Sequence, residues 1–174
     1  MSTQKLIEAY KSYLQSYSLN QLTCITEQGV WSLSQMYDHL ILAALDYLDK
    51  VEMCAAAGKE QALGKTEDGE NLYKLRGFPP IKIKLPDGPE NTPSNSGGKE
   101  DLNRGLDHVL QKWREWEGKV DTINPNYKVK HDGFGWLNSR EWLDLVEMHF
   151  RHHLLQKREL EQKLGFVSLN EDLL

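Results

Sequence analysis

The chain has 174 residues, two cysteines and a formal charge of -5, enough length to bury the core of one domain without disulfide staples. The acidic balance, with no Lys/Arg stripe interleaved with aromatics, argues against nucleic acid as a partner. Cys24 and Cys54 lack CxxC spacing, which argues against a disulfide framework or a cysteine-based zinc module and fits a reducing, cytoplasmic setting. The N-terminus has no apolar secretion-signal core and no run reaches about 18 apolar residues, so neither export nor a membrane span is expected.

Helical periodicity dominates the pattern. Leu6, Ile7, Tyr10, Tyr13, Leu14 and Tyr17 share one stripe, predicting a first helix over residues 3–17. Ser32 and Gln35 have the spacing of a capping box, which opens a second helix that runs to about Ala57 and stops at Gly58. Its inward stripe holds Met36, His39, Leu40, Ala43, Tyr47 and Val51, so a histidine interrupts an apolar face.

Between residues 58 and 98 lie five of the six prolines, which excludes a long helix and predicts a long crossover. The alternation Ile81-Lys-Ile-Lys-Leu85 has no partner strand and is read as extended loop. Tyr73, Leu75, Phe78 and Ile81 suggest that part of the crossover packs, as a lid over the helices. Gly64-Lys65-Thr66 resembles the end of a phosphate loop, but Gly58 stands one residue too far away and the segment follows a helix, not a strand, so that reading is set aside.

Leu102, Leu106, Val109, Leu110, Trp113, Trp116 and Val120 predict a third helix over 101–120, with His108 at the edge of its stripe. A turn-rich stretch through Asn124 and His131 leads to Asn138, which has Glu141 at the reciprocal capping position; the fourth helix runs from there to about Leu164. The expected fold class is all-α: a four-helix bundle in a single domain, 1–174, with a long crossover loop between helices two and three.

The fourth helix carries the chemistry. Its core stripe of Trp142, Leu145, Val146, His149, His153 and Leu160 contains two imidazoles four residues apart, which differ by only ~40° about the axis and so can face one ion. His152 falls at the edge of that stripe. Phe150 stands where a zinc protease carries its glutamate, which argues against peptide hydrolysis. Buried imidazole nitrogens need partners, and one cation satisfies three together, so His39, His149 and His153 are the candidate metal ligands. Any one of them alone reads better as a core histidine with its own hydrogen bonds, and it is the cluster of three that turns the reading toward a metal. His131 could carry protons to such a site or simply face solvent, and Trp31, Trp136 and Trp142 could line a pocket or fill the core.

Trp31-Ser32 ahead of Asp38-His39-Leu40, and Gly133-Phe-Gly-Trp-Leu-Asn-Ser-Arg-Glu-Trp142 running into His149-Phe-Arg-His-His153, resemble the DinB-like superfamily, including its YfiT-like, thiol-dependent branch. That resemblance implies a four-helix bundle with a bound divalent metal, His39 as the ligand from the earlier helix and His149 and His153 as the pair on the last. The superfamily name refers to regulation by DNA damage in some members and implies no DNA contact here. Relatives include transferases that use bacillithiol or mycothiol and a mycothiol-dependent isomerase, so the resemblance implies a small-molecule substrate, a low-molecular-weight thiol and a homodimer.

Three readings follow from the same residues: a metal-dependent thiol S-transferase acting on small electrophiles, a non-catalytic binding or dimerisation module, and a thiol-independent metal-assisted hydrolase. Zinc or nickel suits three imidazoles best, with manganese or iron as alternatives.

Overall fold

A computed structural model of the chain describes residues 1–79 and 89–166. Among them are six α-helices and one hairpin, in the order α1 (Thr3–Ser16), α2 (Leu19–Thr23), α3 (Leu33–Ala55), α4 (Glu67–Leu75), α5 (Lys99–Glu117), β1 (Lys128–His131), β2 (Gly135–Asn138) and α6 (Ser139–Lys163). The protein is mostly helical, and none of these helices is long and apolar enough to cross a membrane.

The helix starts form where the capping chemistry requires. Ser32 accepts from Gln35 N while the Gln35 side chain accepts from Ser32 N, and Asn138 and Glu141 repeat that exchange at the start of α6. Each closed pair satisfies backbone donors that would otherwise be orphaned, worth ~1 kcal/mol per cap. The predicted second and fourth helices correspond to α3 and α6, the two longest elements.

α3 packs against both α6 and α5, and α1 lies against α5 and α6. The stripes meet inside: Leu6, Ile7, Tyr10, Leu14, Met36, Leu40, Val51, Leu106, Val109, Trp142, Leu145, Val146 and Phe150 belong to one buried cluster. Val120, read as the end of the third helix, is buried in a separate 3-10 turn after α5 stops at Glu117.

Three short elements were not legible in the periodicity. α2 is a five-residue turn with its own capping box at Ser18. α4 lies inside the crossover, capped by Thr66 and ended by Arg76 in the left-handed conformation; nine residues are too few for a helical repeat to stand out against the surrounding Gly and Pro. The stretch 128–138, read as turn-rich, is an antiparallel hairpin pairing Lys128 with Asn138 and His131 with Gly135. The alternating segment 81–85 lies outside the described residues.

The hairpin anchors the crossover. Thr66 N donates to Phe134 O, Trp136 N to Gly64 O, and Gln61 N to Asn126 O. Gly135 has φ of +82°, and a Cβ there would meet Thr66 N at 2.7 Å and Gly64 O at 2.9 Å, so only glycine admits this approach. Gly64-Lys65-Thr66, set aside as a phosphate loop, is therefore the strip of crossover that docks on the hairpin. Lys65 also pairs with Glu141, and Tyr73 donates to Glu141 O at 2.6 Å, tying the crossover to the first turn of α6.

A candidate metal centre of three histidines

α3 delivers His39 and α6 delivers His149 and His153 to one point. Nε2 of His149 lies 3.0 Å from Nε2 of His39 and 3.1 Å from Nε2 of His153, and one ligand atom from each ring falls within 4.8 Å of the others. Imidazole nitrogens bound at about 2.0 to 2.1 Å to a common ion stand about 3.0 to 3.4 Å apart when adjacent in its coordination sphere. The two short separations match that spacing.

Counting protons shows what the cluster lacks. Nδ1 of His39 faces the carbonyl oxygen of Glu90, which can only accept, so Nδ1 carries the proton and Nε2 a lone pair. Nδ1 of His153 faces Gln156 Oε1 at 2.6 Å, with the same result. His149 can donate from Nε2 to one of these neighbours, leaving the other contact as lone pair against lone pair. Its own Nδ1 is buried without a hydrogen-bond partner among the described residues, so either tautomer leaves a deficit that a cation among the three Nε2 atoms reduces.

Protonation is a poor remedy. Burial lowers the pKa of His39, of His153 to about 3, and of His149 well below the usual imidazole value, and the neighbouring imidazoles add to the depression at His149 and His153. Neutral rings are the form that binds metals.

Two residues that orient the triad escaped the sequence reading. Gln156 could have been found, because it lies three residues after His153 on the same helix. Glu90, in a 3-10 turn over Pro89–Asn91, carries no local signal; only the packing of this turn against α3 brings its carbonyl to His39.

Aromatic rings wall the cluster. Trp31 lies 4.9 Å from the His39 ring, and Phe78 lies 5.7 Å from that of His149 and 5.4 Å from that of His152. The crossover thus supplies both Phe78 and Glu90 to the site, whereas Leu75, also expected to pack, is exposed, and Ile81 lies outside the described residues. His152 is half-buried at the edge of the stripe, as its spacing predicts, and its ring stands 5.2 Å from that of His153.

The remaining candidates separate cleanly. His131 is committed to the hairpin turn: its Nδ1 accepts from Gly133 N at 3.0 Å and Phe134 N at 3.1 Å, and its ring stacks on Phe134. Trp142 is core, Trp31 and Trp136 are half-buried, and His108 is exposed. Phe150 is fully buried with its ring 5.1 Å from Tyr10, so the position of a protease glutamate belongs to the core. Cys54 is buried, with burial pushing its thiol up to about 11, and Cys24 is an exposed free thiol.

A helical fold that converges three histidines from two helices, His39 and His149 buried and His153 half-buried, two of them oriented by backbone or amide oxygens, defines a protein able to hold one divalent metal ion. The chain matches the family model of the DinB superfamily over residues 3–156 and belongs to that superfamily. No curated protein and no solved structure matches it.

Proposed function

We propose that this protein is a metal-dependent S-transferase that joins a low-molecular-weight thiol, such as bacillithiol, to small electrophiles. The observation that carries the reading is the meeting of three imidazole Nε2 atoms in a buried, aromatic-walled site where neither tautomer of His149 satisfies the cluster.

In this reading His39, His149 and His153 hold the cation, zinc or nickel in preference to manganese or iron. Three protein ligands are the number found where a coordination position is left for a reactant, whereas structural zinc sites use four. When bound, the cation supplies a Lewis-acidic position at which a thiol or a water loses its proton more readily. Glu90 O and Gln156 Oε1 keep His39 and His153 in the tautomer that presents Nε2. Phe78 and Trp31 keep water from the flanks of the cluster, which strengthens the electrostatic interactions within it.

The scaffold we assign to this chemistry is a four-helix bundle formed by α1, α3, α5 and α6, one domain that acts in the cytoplasm as a homodimer on a small-molecule substrate. The test is to measure metal stoichiometry, then conjugation of a thiol to a panel of small electrophiles before and after His149→Ala. Conjugation that depends on thiol, metal and His149 supports the proposal. Turnover without added thiol would point to a hydrolase, and tight ligand binding without turnover to a binding module.

A further inference from the structure

Tyr47 stands on the α3 stripe two turns after His39, with the small side chain of Ala43 between them. Long side chains on a helix lean toward its N-terminus, so the Tyr47 ring is carried back over Ala43 toward His39. It meets the His149 ring edge-on at 5.8 Å and the Trp142 ring at 5.9 Å. Glu90, whose carbonyl touches His39 Nδ1, lies close enough for its charge to act on both the His39 ring and the Tyr47 hydroxyl. The Tyr47 ring therefore packs against the triad at His149.

Four other tyrosines use their hydroxyls on fixed acceptors. Tyr10 donates to Phe150 O, Tyr17 to Glu161, Tyr37 to Tyr10 O and Tyr73 to Glu141 O. The Tyr47 hydroxyl donates to none of the described residues, although its half-buried ring packs beside the His149 imidazole. A phenol in such surroundings normally finds a partner. A phenol is protonated at neutral pH, so Tyr47 is a donor without an acceptor among the described residues, at the edge of a site that needs positive charge.

We propose that Tyr47 is a ligand-contacting residue whose O–H donates to a small anion bound beside the triad, the thiolate of the preceding reading among such anions. The inference rests on that reading for the presence of the cation. A hydrogen bond to a charged group contributes roughly 1.5 to 3 kcal/mol, which corresponds to about 10- to 100-fold in affinity.

The test uses the full chain loaded with cobalt(II) and titrated with azide as the probe anion, followed by visible absorption and by the azide antisymmetric stretch. Tyr47→Phe is expected to take up cobalt as the wild type does, to bind azide about tenfold or more weakly, and to shift the stretch of the bound azide. In the wild type, azide is expected to perturb the near-ultraviolet tyrosine spectrum, a readout that needs no variant. Equal azide affinity and an equal stretch in a cobalt-loaded Tyr47→Phe protein would overturn the inference alone, as would an unperturbed tyrosine spectrum. Failure of the wild type to take up cobalt would sink the metal reading itself and this inference with it.

Discussion

His39 and His149 are separated by 110 residues, yet their Nε2 atoms lie 3.0 Å apart. His153 approaches the same His149 nitrogen at 3.1 Å, so His149 is the hub of the cluster. Replacing it with alanine is expected to weaken metal binding by about two decades, since a structural zinc site of four ligands contributes roughly 10 to 16 kcal/mol in all. Competition with a chromophoric chelator measures this; unchanged stoichiometry and affinity would show that the metal lies elsewhere.

Gln156 holds His153 by its Nδ1 proton. Partners of this kind typically tune metal affinity by about 10- to 100-fold, so Gln156→Ala should weaken binding by that factor while leaving one ion per chain. Calorimetric titration with zinc checks it, and an affinity equal to wild type would mean that the amide does not orient the ring.

The metal-free protein should lose stability in mild acid. Burial depresses the folded-state pKa of all three ligands, His153 to about 3, from the ordinary value of 6.5, so below pH 6.5 the unfolded chain binds protons that the folded chain refuses. Stability is then full above that value and declines from pH 6.5 toward pH 3. Thermal midpoints measured with chelator present should fall across this window, and fall less steeply in His153→Asn. Parallel profiles for the two proteins would contradict the assignment.

Lys157 is 3% exposed and donates to Glu161 at 2.7 Å, while Tyr17 donates to the same carboxylate oxygen. Breaking a buried pair from one side costs about 3 to 5 kcal/mol, whereas replacing both partners with apolar residues is often neutral. Lys157→Met should therefore destabilise strongly, and Lys157→Met with Glu161→Leu and Tyr17→Phe, which also removes the hydroxyl that the lost carboxylate would orphan, much less. Urea unfolding of the single and triple variants decides it; equal losses would refute the coupling.

Gly135→Ala should loosen the crossover. The substitution combines a positive φ with a Cβ 2.7 Å from Thr66 N, and strained backbone of this kind costs of order 1 to 3 kcal/mol. Faster amide exchange of Thr66 and Trp136, which donate across this contact, is the expected signature. Unaltered exchange there would mean that the docking tolerates a side chain.

Much of this protein was legible before folding. Apolar residues at helical spacing marked the four long helices, Ser32 with Gln35 and Asn138 with Glu141 marked two of their starts, and the four-residue interval put His149 and His153 on one face. These are local properties, set by 3.6 residues per turn and by the chemistry of orphaned backbone donors. Local spacing also placed His152 at the edge, while the pattern Trp31 to His39 and Gly133 to His153 carried the likeness to the superfamily now matched.

What pairs with what was decided only by tertiary packing. No spacing states that α3 lies against α6, so the arrival of His39 at His149 follows from how the apolar stripes of two distant helices bury each other. The same holds for Glu90 O at His39, for Phe78 over His149, and for the hairpin that captures Gly64 to Thr66. Their signals are single backbone groups or isolated side chains in segments without periodicity, and a carbonyl oxygen is the same in every residue until packing selects one.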